Sequence, residues 1–378
     1  LSASANWCAC QVGQRLAIGK GDVDPAADGG QVLLSFRAVH WRAHQFALAD
    51  RDVLFAAGRI EHLKIVCAYL VTQRPAARVD ADQDLVRVET IRVGGRGVVA
   101  EDADVGVSSA AAHRLWPDTD LLIGIGSRLE LQYMRWMEMA HYLDAPPAGT
   151  PKLIRIDIDP LEMTRFKPHV GIVADAADGV RALIERVAAR GFNDCDRGRI
   201  AAAKTAASAA IREVQPEMAY LDVIRDVLPR DGYFVEELCQ AGFASYYGFP
   251  VYEPRSYVTP GFQGTLGFGY PTALGVKVAN PDKVVLSILG DGGFMFAVQE
   301  LATAVQEGIG VIAVVFNNDQ WGAEKKNQID YYESRFVGTN LRENPDYARL
   351  AEDMGASGYT VKDYRDVQDV VREAVASG

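Results

Sequence analysis

The sequence has few cysteines, no long hydrophobic run and a shortage of positive charge. Five cysteines among 378 residues are too sparse for a disulfide framework, which predicts a protein of the reducing cytoplasm. No stretch of about 18 or more residues is continuously apolar, so no membrane-spanning segment is expected. The formal net charge of -11 argues against a surface for nucleic acid or anionic lipid, because either partner needs clustered Lys and Arg.

The residues that are present are sufficient for two or three globular domains. Hydrophobic residues make up 49% of the chain and charged residues 24%, which is ordinary for a globular protein. The acidic balance still permits an anionic cofactor, since backbone N–H groups and a bound cation can hold phosphate groups in an acidic protein. A phosphate or metal site in this chain is therefore expected to be formed by loops rather than by a basic patch.

The chain divides into one segment without a regular pattern and two segments in which strands alternate with helices. Residues 1–94 show no clean alternation and are left unassigned. Residues 95–190 contain short apolar strands such as Lys152–Asp157 between helices, which is typical of a parallel sheet covered by helices. Residues 191–215 are Ala-rich and predict a linker with a helical stretch, and residues 216–378 predict a second α/β domain.

Two apolar strands of the second domain each end in polar, turn-forming residues. Val284–Leu289 leads into Gly290-Asp291-Gly292-Gly293, and Val311–Phe316 leads into Asn317-Asn318. One helix is predicted between them, at 294–307, so the two strands should be parallel. Because the carboxyl ends of parallel strands meet at one edge of a sheet, we expect these two clusters to converge.

The residue types at the two strand ends suit a magnesium ion bound to phosphate. The Asp291 carboxylate and an Asn318 amide oxygen are hard oxygen ligands of the kind that Mg²⁺ takes together with phosphate oxygens. Gly292 and Gly293 leave backbone N–H groups bare at the start of the next helix, where a phosphate can approach. Two ordinary strand-end turns would account for Gly-Asp-Gly, but they do not account for the paired asparagines at the matching strand end.

This pattern resembles the thiamine diphosphate (ThDP) and magnesium motif of the superfamily of acetolactate synthase, pyruvate oxidase and benzoylformate decarboxylase. The resemblance runs from about residue 95 to the C-terminus, over the family's central and C-terminal domains. It implies that Asp291 and Asn318 supply side-chain oxygens to Mg²⁺ and that Gln320 supplies its backbone carbonyl. It also implies that the diphosphate faces the turn at residues 290–293.

A second stretch, Thr259–Gly275, is similar to the family's segment before the cofactor helix. There the carbonyl of Gly264 would accept the pyrimidine amino group, and Leu266 would wedge under the cofactor and bend it. The bend brings the 4′-imino nitrogen to the thiazolium C2–H, so that deprotonation becomes intramolecular. The alternative is that Leu266 is an ordinary core residue. Gln240 takes the position of a polar contact to the diphosphate or the substrate.

Residues 95–190 are similar to the family's central Rossmann-like domain, which binds FAD or ADP in some members. Gly124-Ile125-Gly126 follows a strand, but Leu129 stands at the third glycine position of a dinucleotide fingerprint. The run from Arg128 to Gln132 also departs from the Arg-Phe-Asp-Asp-Arg run of acetolactate synthases. Both departures disfavour FAD, which stays a possible further cofactor beside the predicted ThDP and Mg²⁺. They also favour a plain tight turn at residues 124–126 over a dinucleotide turn.

No counterpart of the family's pyrimidine-binding domain is found, so no catalytic residue is assigned. In that domain a glutamate protonates the aminopyrimidine N1′, but Glu61 and Glu89 lie in no recognisable context. We expect either a fragment cut at both ends, its C-terminal domain lacking the last strand, or a chain whose pyrimidine domain is a separate subunit. In both cases the isolated chain should bind ThDP–Mg²⁺ weakly and turn over little.

The resemblance implies a ThDP- and Mg²⁺-dependent C–C bond lyase or ligase acting on 2-oxo acids, like the acetolactate synthase large subunit, and working as a homodimer or tetramer. One alternative is a simple 2-oxo acid decarboxylase, and another is an acetyl-transferring enzyme, because Trp321–Asn327 is closer to sulfoacetaldehyde acetyltransferases. A non-catalytic ThDP-binding module or subunit is the alternative of another class. A dehydrogenase with NAD at Gly124–Gly126 is a more distant one.

Overall fold

The computed structural model of the chain describes residues 65–68, 87–89, 95–129, 150–189, 196–261, 264–341 and 343–377. Glu61 and most of residues 1–94 lie outside the described residues, as do 130–149 with Gln132. Within the described ranges, no helix combines the length and the apolarity needed to cross a bilayer. Two parallel sheets with their helices make up the structure.

The first sheet has the strand order of a doubly wound dinucleotide-binding fold. Its strands are β1 (Ile65–Ala68), β2 (Arg87–Glu89), β3 (Gly106–Val107), β4 (Leu121–Ile125), β5 (Lys152–Asp157) and β6 (Val170–Val173). They lie in the order β3-β2-β1-β4-β5-β6, and every pairing is parallel. The order reverses between β1 and β4, as in Rossmann folds. The Rossmann-like fold class is thereby confirmed, although β1 and β2 precede residue 95, where the central domain was predicted to start.

The helices of this half include a long one in the segment predicted as a linker. They are α1 (Ser109–Leu115), followed by a 3₁₀ turn at Trp116–Asp118, then α2 (Glu162–Arg165), α3 (Ala176–Ala188) and α4 (Arg197–Ile211). The Asp196 side chain caps α4 by accepting the Arg199 N–H. Small residues on one side of α4 let it bury Ile200 and Ala203 in one cluster with α1. The larger part of the Ala-rich segment is therefore packed helix.

The second sheet is also entirely parallel. Its strands are β7 (Tyr233–Glu236), β8 (Tyr257–Val258), β9 (Val285–Gly290) and β10 (Ile312–Phe316), in the order β10-β9-β7-β8. Its helices are α5 (Glu217–Val227), α6 (Gln240–Gly248), α7 (Gly269–Ala279), α8 (Asp291–Met295), α9 (Glu300–Glu307), α10 (Gly322–Tyr331), α11 (Tyr347–Asp353) and α12 (Tyr364–Ser377). Strands β9 and β10 are short apolar runs, as the sequence predicts for a sheet buried on both faces.

Helices cover both faces of the second sheet, which confirms the predicted α/β layering. Alternate residues of β10 point to opposite faces. Val314 and Phe316 pack in the cluster that contains α5 and α12, whereas Ala313 and Val315 pack in the cluster that contains α7 and α9. The loops at the strand ends are thus held from both sides.

Two helix predictions need correction. The helix predicted over 294–307 is two helices, since α8 ends at Met295 and α9 begins only at Glu300. The sequence of residues 344–354 also predicts a helix, opened by Asn344 and Pro345. This helix begins only at Tyr347, because the Asp346 side chain is its N-cap and accepts the Arg349 N–H. Asn344 is therefore available for another contact, which lies in the candidate site.

A buried ion pair joins the first part of the chain to the second sheet. Arg96 donates to both carboxylate oxygens of Glu101, at 2.6 and 2.8 Å, and its guanidinium also donates to the backbone oxygens of Ser245 and Phe249. Glu101 in turn accepts the Val251 N–H at 3.1 Å. Arg96 is 4% exposed and Glu101 9%. Each charge is thus satisfied inside the protein.

Glu101→Gln should destabilise the chain strongly, because it removes the negative charge and leaves the Arg96 guanidinium buried without a counterion. We expect the free energy of unfolding in urea to fall by about 3–5 kcal/mol. Asp102→Asn is the matched control. Its partner Arg230 is exposed, so the loss should stay below about 1 kcal/mol. Equal losses in the two variants would contradict this account of the pair.

Candidate functional site

The predicted site residues follow the carboxyl ends of the strands in the second sheet. The register pairs Gly290 of β9 with Phe316 of β10, so Asp291 and Asn317 leave the sheet side by side. Strand β7 lies on the other side of β9, and Gln240 begins the helix that follows it. The loop with Gly264 and Leu266 comes after β8, at the same edge. The expected convergence of the strand-end loops is present.

Asn344 connects the two strand-end clusters. Its Nδ2 lies 2.8 Å from Asp291 Oδ2, and 3.1 Å from both Asn317 Oδ1 and Asp319 Oδ1. Asp291 is 2% exposed, so its carboxylate needs such a donor. Three oxygen atoms, two of them from carboxylates, therefore surround one amide nitrogen. Hard oxygen atoms of this kind are the ligands that suit a magnesium ion. The sequence does not reveal this role of Asn344, because the residue has the context of a helix start.

Asn318 and Gln240 both lie beside Gly322. A Cβ built on Gly322 would lie 2.9 Å from Gln240 Nε2 and 3.4 Å from Asn318 Nδ2. Gln320 is held differently, because its backbone forms an antiparallel bridge with Asn340 and its side-chain Oε1 accepts from Lys325 at 2.6 Å. The hydrogen bonds around this bridge are made by the neighbouring Asp319 O and Trp321 N–H. The predicted metal role of Gln320 concerns its own backbone carbonyl. The metal assignments of Asn318 and Gln320 stay predictions.

The glycine turn after β9 is packed closely on both sides. Gly290 is the N-cap residue of α8, and Gly292 and Gly293 are buried within it. A Cβ on Gly292 would lie within 3.0 Å of the Trp321 ring, and one on Gly293 within 3.0 Å of Glu237 Oε1. The glycines are thus needed for packing as well as for the predicted approach of a phosphate. Neither Trp321 nor Glu237 was identified from the sequence.

The loop before α7 presents Leu266 to the outside. Leu266 is 36% exposed, which excludes the alternative that it is an ordinary core residue. Gly264 and Gly267 on either side have positive φ angles of 59° and 76°, a conformation that favours glycine. Phe296 follows the glycine turn and is 61% exposed. The Cβ of Phe296 lies against Gly267. The wedge role of Leu266 remains a prediction.

Two adjacent carboxyls at the end of β7 are completely buried. Glu236 accepts from the hydroxyls of Tyr246, at 2.8 Å, and Thr259. Burial is the main reason that its pKa is raised to about 7. Glu237 accepts the N–H groups of Gly267 and Gly269 at 2.7 and 2.8 Å, and burial raises its pKa as well. Their place at the end of a strand was a sequence signal for residues near the site, although it did not reveal these contacts.

The geometry of residues 124–129, which follow β4 in the first sheet, favours a plain tight turn over a dinucleotide site. Gly126 has φ 56° and donates its N–H to Ile156 O at 2.8 Å. Leu129, at the third glycine position of the fingerprint, is 1% exposed and fills the space over Gly124, where a Cβ would lie 2.9 Å from its Cδ1. Arg155 donates to Ser127 O at 2.8 Å and fixes the turn.

Glu236→Gln should remove one pH dependence of stability. The folded-state pKa of about 7 lies above the ordinary value of 4.5, so the Glu236 contribution is fully present below pH 4.5 and is lost as the pH rises through 7. Gln has no proton to lose. Between about pH 5 and pH 8 we expect the difference in urea-unfolding free energy between wild type and variant to change by up to about 3 kcal/mol. Parallel stability profiles would contradict the raised pKa.

Asn344→Asp should make the chain depend on a divalent cation. The substitution replaces the donor that Asp291 and Asp319 share with a third carboxylate, so repulsion should lower the free energy of unfolding by about 1–3 kcal/mol in EDTA. Mg²⁺ should restore stability by screening or binding the three carboxylates. Asn344→Ala serves as the control, since it loses the donor without adding a charge. If Mg²⁺ raised the Tm of both variants equally, the oxygen cluster would not be a cation site.

Comparisons with known proteins agree with this geometry. The family description "Thiamine pyrophosphate enzyme, C-terminal TPP binding domain" matches residues 239–378, and "Thiamine pyrophosphate enzyme, central domain" matches residues 88–183. The first match includes every residue predicted here to bind the cofactor or the metal.

Three relatives are similar over different lengths. A probable 2-ketoarginine decarboxylase, AruI, of Pseudomonas aeruginosa is 30% identical, over 74% of this chain and 49% of that protein. A probable acetolactate synthase large subunit of Methanocaldococcus jannaschii is 29% identical, over 75% and 50%. A sulfoacetaldehyde acetyltransferase of Alcaligenes xylosoxydans xylosoxydans is 43% identical, over 32% and 20%. The chain spans about half the length of the first two relatives.

The fold is similar to that of a solved thiamine diphosphate-dependent decarboxylase. The thiamine diphosphate-dependent 4-hydroxybenzoylformate decarboxylase of Rhodococcus jostii RHA1 superposes with a TM-score of 0.56 at 20% sequence identity. The match covers 76% of this chain and 54% of that one. At this identity the likeness concerns the arrangement of strands and helices, which agrees with the two parallel sheets described above.

Proposed function

The chain belongs to the thiamine pyrophosphate-dependent enzymes. On this premise we propose that it is the part of an enzyme that binds the diphosphate and the metal. The enzyme would make or break C–C bonds next to the carbonyl of a 2-oxo acid. The observation that supports this best is the convergence of the loops after β9 and β10 on Asn344. There two carboxylate oxygens and one amide oxygen lie beside a glycine turn, which suits a metal bound to diphosphate.

In this proposal each strand-end loop holds one part of the cofactor. Asp291, Asn318 and the Gln320 carbonyl hold Mg²⁺, and the turn at 290–293 holds the diphosphate with Gln240 beside it. Gly264 and Leu266 take the pyrimidine end. Bound ThDP supplies an electron sink for cleavage next to a carbonyl. This chain's residues bind and orient it, and the apolar ring of Trp321 beside Gly292 keeps water from the turn.

The proposed site is open on one side. Leu266 is 36% and Phe296 61% exposed beside the glycine turn, although both are large apolar side chains. We propose that a pyrimidine-binding domain covers them and supplies the glutamate that protonates N1′. That domain would come from a second subunit or from a part of the protein beyond these residues. A homodimer or tetramer, with the cofactor between subunits, agrees with this arrangement.

A second candidate is an acetyl-transferring enzyme. The run Trp321–Asn327 forms the start of α10 next to the proposed metal site, and it resembles sulfoacetaldehyde acetyltransferases, one of which is 43% identical over 123 residues. Lys325 of this run has two neutral amide partners, Gln320 and Asn340, and no carboxylate partner within the part of the chain that the structure describes. Its charge favours an anionic substrate. A non-catalytic ThDP-binding module is the candidate of another class.

Asp291→Asn should abolish magnesium-dependent ThDP binding. The substitution keeps the size of the side chain and removes the charge that holds the ion, so we expect Kd to rise at least about 100-fold in calorimetric titrations with ThDP and Mg²⁺. Asp353→Asn, at an exposed position on α11, is the control and should bind like the wild type. Binding of ThDP that is as tight in EDTA as in Mg²⁺ would overturn the metal proposal.

Turnover separates the candidate functions. The titrated chain, alone and with a partner that carries a pyrimidine domain, is assayed for consumption of pyruvate and of sulfoacetaldehyde. Pyruvate consumption supports the 2-oxo acid enzyme, and sulfoacetaldehyde consumption supports the acetyl-transferring candidate. Binding of ThDP without any turnover under both conditions supports the non-catalytic module.

A further inference from the structure

Glu237 is a buried carboxylate without a cationic partner. It is 0% exposed, and no ion pair of the described residues includes it. Its partners are two backbone donors, the N–H groups of Gly267 on Oε1 and Gly269 on Oε2. A carboxylate without a counterion is costly to bury, as the raised pKa of Glu237 shows. The protein keeps it beside a turn proposed to hold a diphosphate, where a negative charge does not help binding.

The location of Glu237 explains what it does there. Its two oxygens hold the backbone of the loop that leads into α7, three residues or fewer from Leu266. The same Oε1 lies so close to Gly293 that a Cβ at that position would overlap it. One side chain therefore contacts both the loop proposed for the pyrimidine end of ThDP and the turn proposed for its diphosphate end.

We propose that Glu237 is a positioning residue that joins the loop at 264–269 to the glycine turn at 290–293 and so sets the distance between the two ends of the cofactor site. This inference rests on the proposed function. ThDP spans both segments, whereas inorganic pyrophosphate needs only the turn and the metal. A side chain that sets the distance between the segments should therefore affect the Kd of ThDP and leave the Kd of pyrophosphate nearly unchanged.

Glu237→Gln tests this at constant side-chain size. Gln is neutral and has one acceptor oxygen, so one of the two N–H groups loses its acceptor and the other keeps only a neutral one, while the packing against Gly293 is retained. Loss of a hydrogen bond to a charged group corresponds to about a 10- to 100-fold rise in the Kd of ThDP in Mg²⁺. The Kd of pyrophosphate in Mg²⁺ should change less than about 3-fold. An equal change for both ligands, or none for ThDP, overturns the proposal.

Glu236→Gln is the matched control, since Glu236 is adjacent, equally buried and bonded only to side-chain hydroxyls. At about pH 6 it is mostly protonated, so Gln replaces it with little change and both ligands should bind as in the wild type. If Glu237→Gln does not fold, Glu237→Asp keeps the charge but is one methylene too short to hold both N–H groups. It should show the same selective loss of ThDP binding.

Hydrogen exchange without any ligand makes the test independent of the proposed function. In Glu237→Gln, peptides that cover 264–270 and 290–296 should both exchange faster than in the wild type, whereas Glu236→Gln should leave the second of them unchanged. Faster exchange in only one of the two segments would show that Glu237 does not join them. If the wild type binds neither ligand but both segments exchange faster, the proposed function fails while the joining role stands.

Discussion

The parallel direction of all four strands in the second sheet is the constraint on which the site depends. Because every strand runs the same way, every loop that follows a strand leaves at the same edge. The side chains of these loops are then forced into contact, however far apart they are in the sequence. Asp291 and Asn317 meet because their strands pair in register, and Asn344 can bridge them because helix α11 begins later than its sequence suggests.

Crowding at this edge has an electrostatic consequence. Glu236, Glu237 and Asp291 are all buried there, and each accepts from neutral donors, which are hydroxyls, backbone N–H groups or the Asn344 amide. Glu236 Oε2 has no hydrogen-bond partner among the described residues. Within the part of the chain that the structure describes, none of the three pairs with Lys or Arg. A diphosphate would add further negative charge to this edge. A divalent cation is the simplest source of the missing positive charge, which is why the metal and the diphosphate should bind together.

The sequence was sufficient for β9 and β10 and for the residues that follow them, but not for β1, β2, β3 or β8. Apolar runs ending in Gly-Asp-Gly and Asn-Asn predicted both strand ends, because these signals are local. The parallel direction of the strands then places both ends at one edge of the sheet. The contacts of Asn344 and Glu237 could not be predicted in this way. Each depends on the path of a distant loop, and each residue has an ordinary local interpretation, as a helix start or a strand end. The same holds for Trp321, whose place over Gly292 follows from packing alone.

The first part of the chain has a role in this geometry although none of its residues is assigned to the cofactor. Arg96 and Glu101 form a buried ion pair that also bonds to the backbone of a later segment. Arg96 donates to Phe249 O, and Glu101 accepts the Val251 N–H. This segment connects α6, which begins with Gln240, to β8, which leads into the loop with Leu266. The ion pair therefore fixes the backbone between two of the loops at the site, and the central domain contacts the segment that carries the proposed cofactor site.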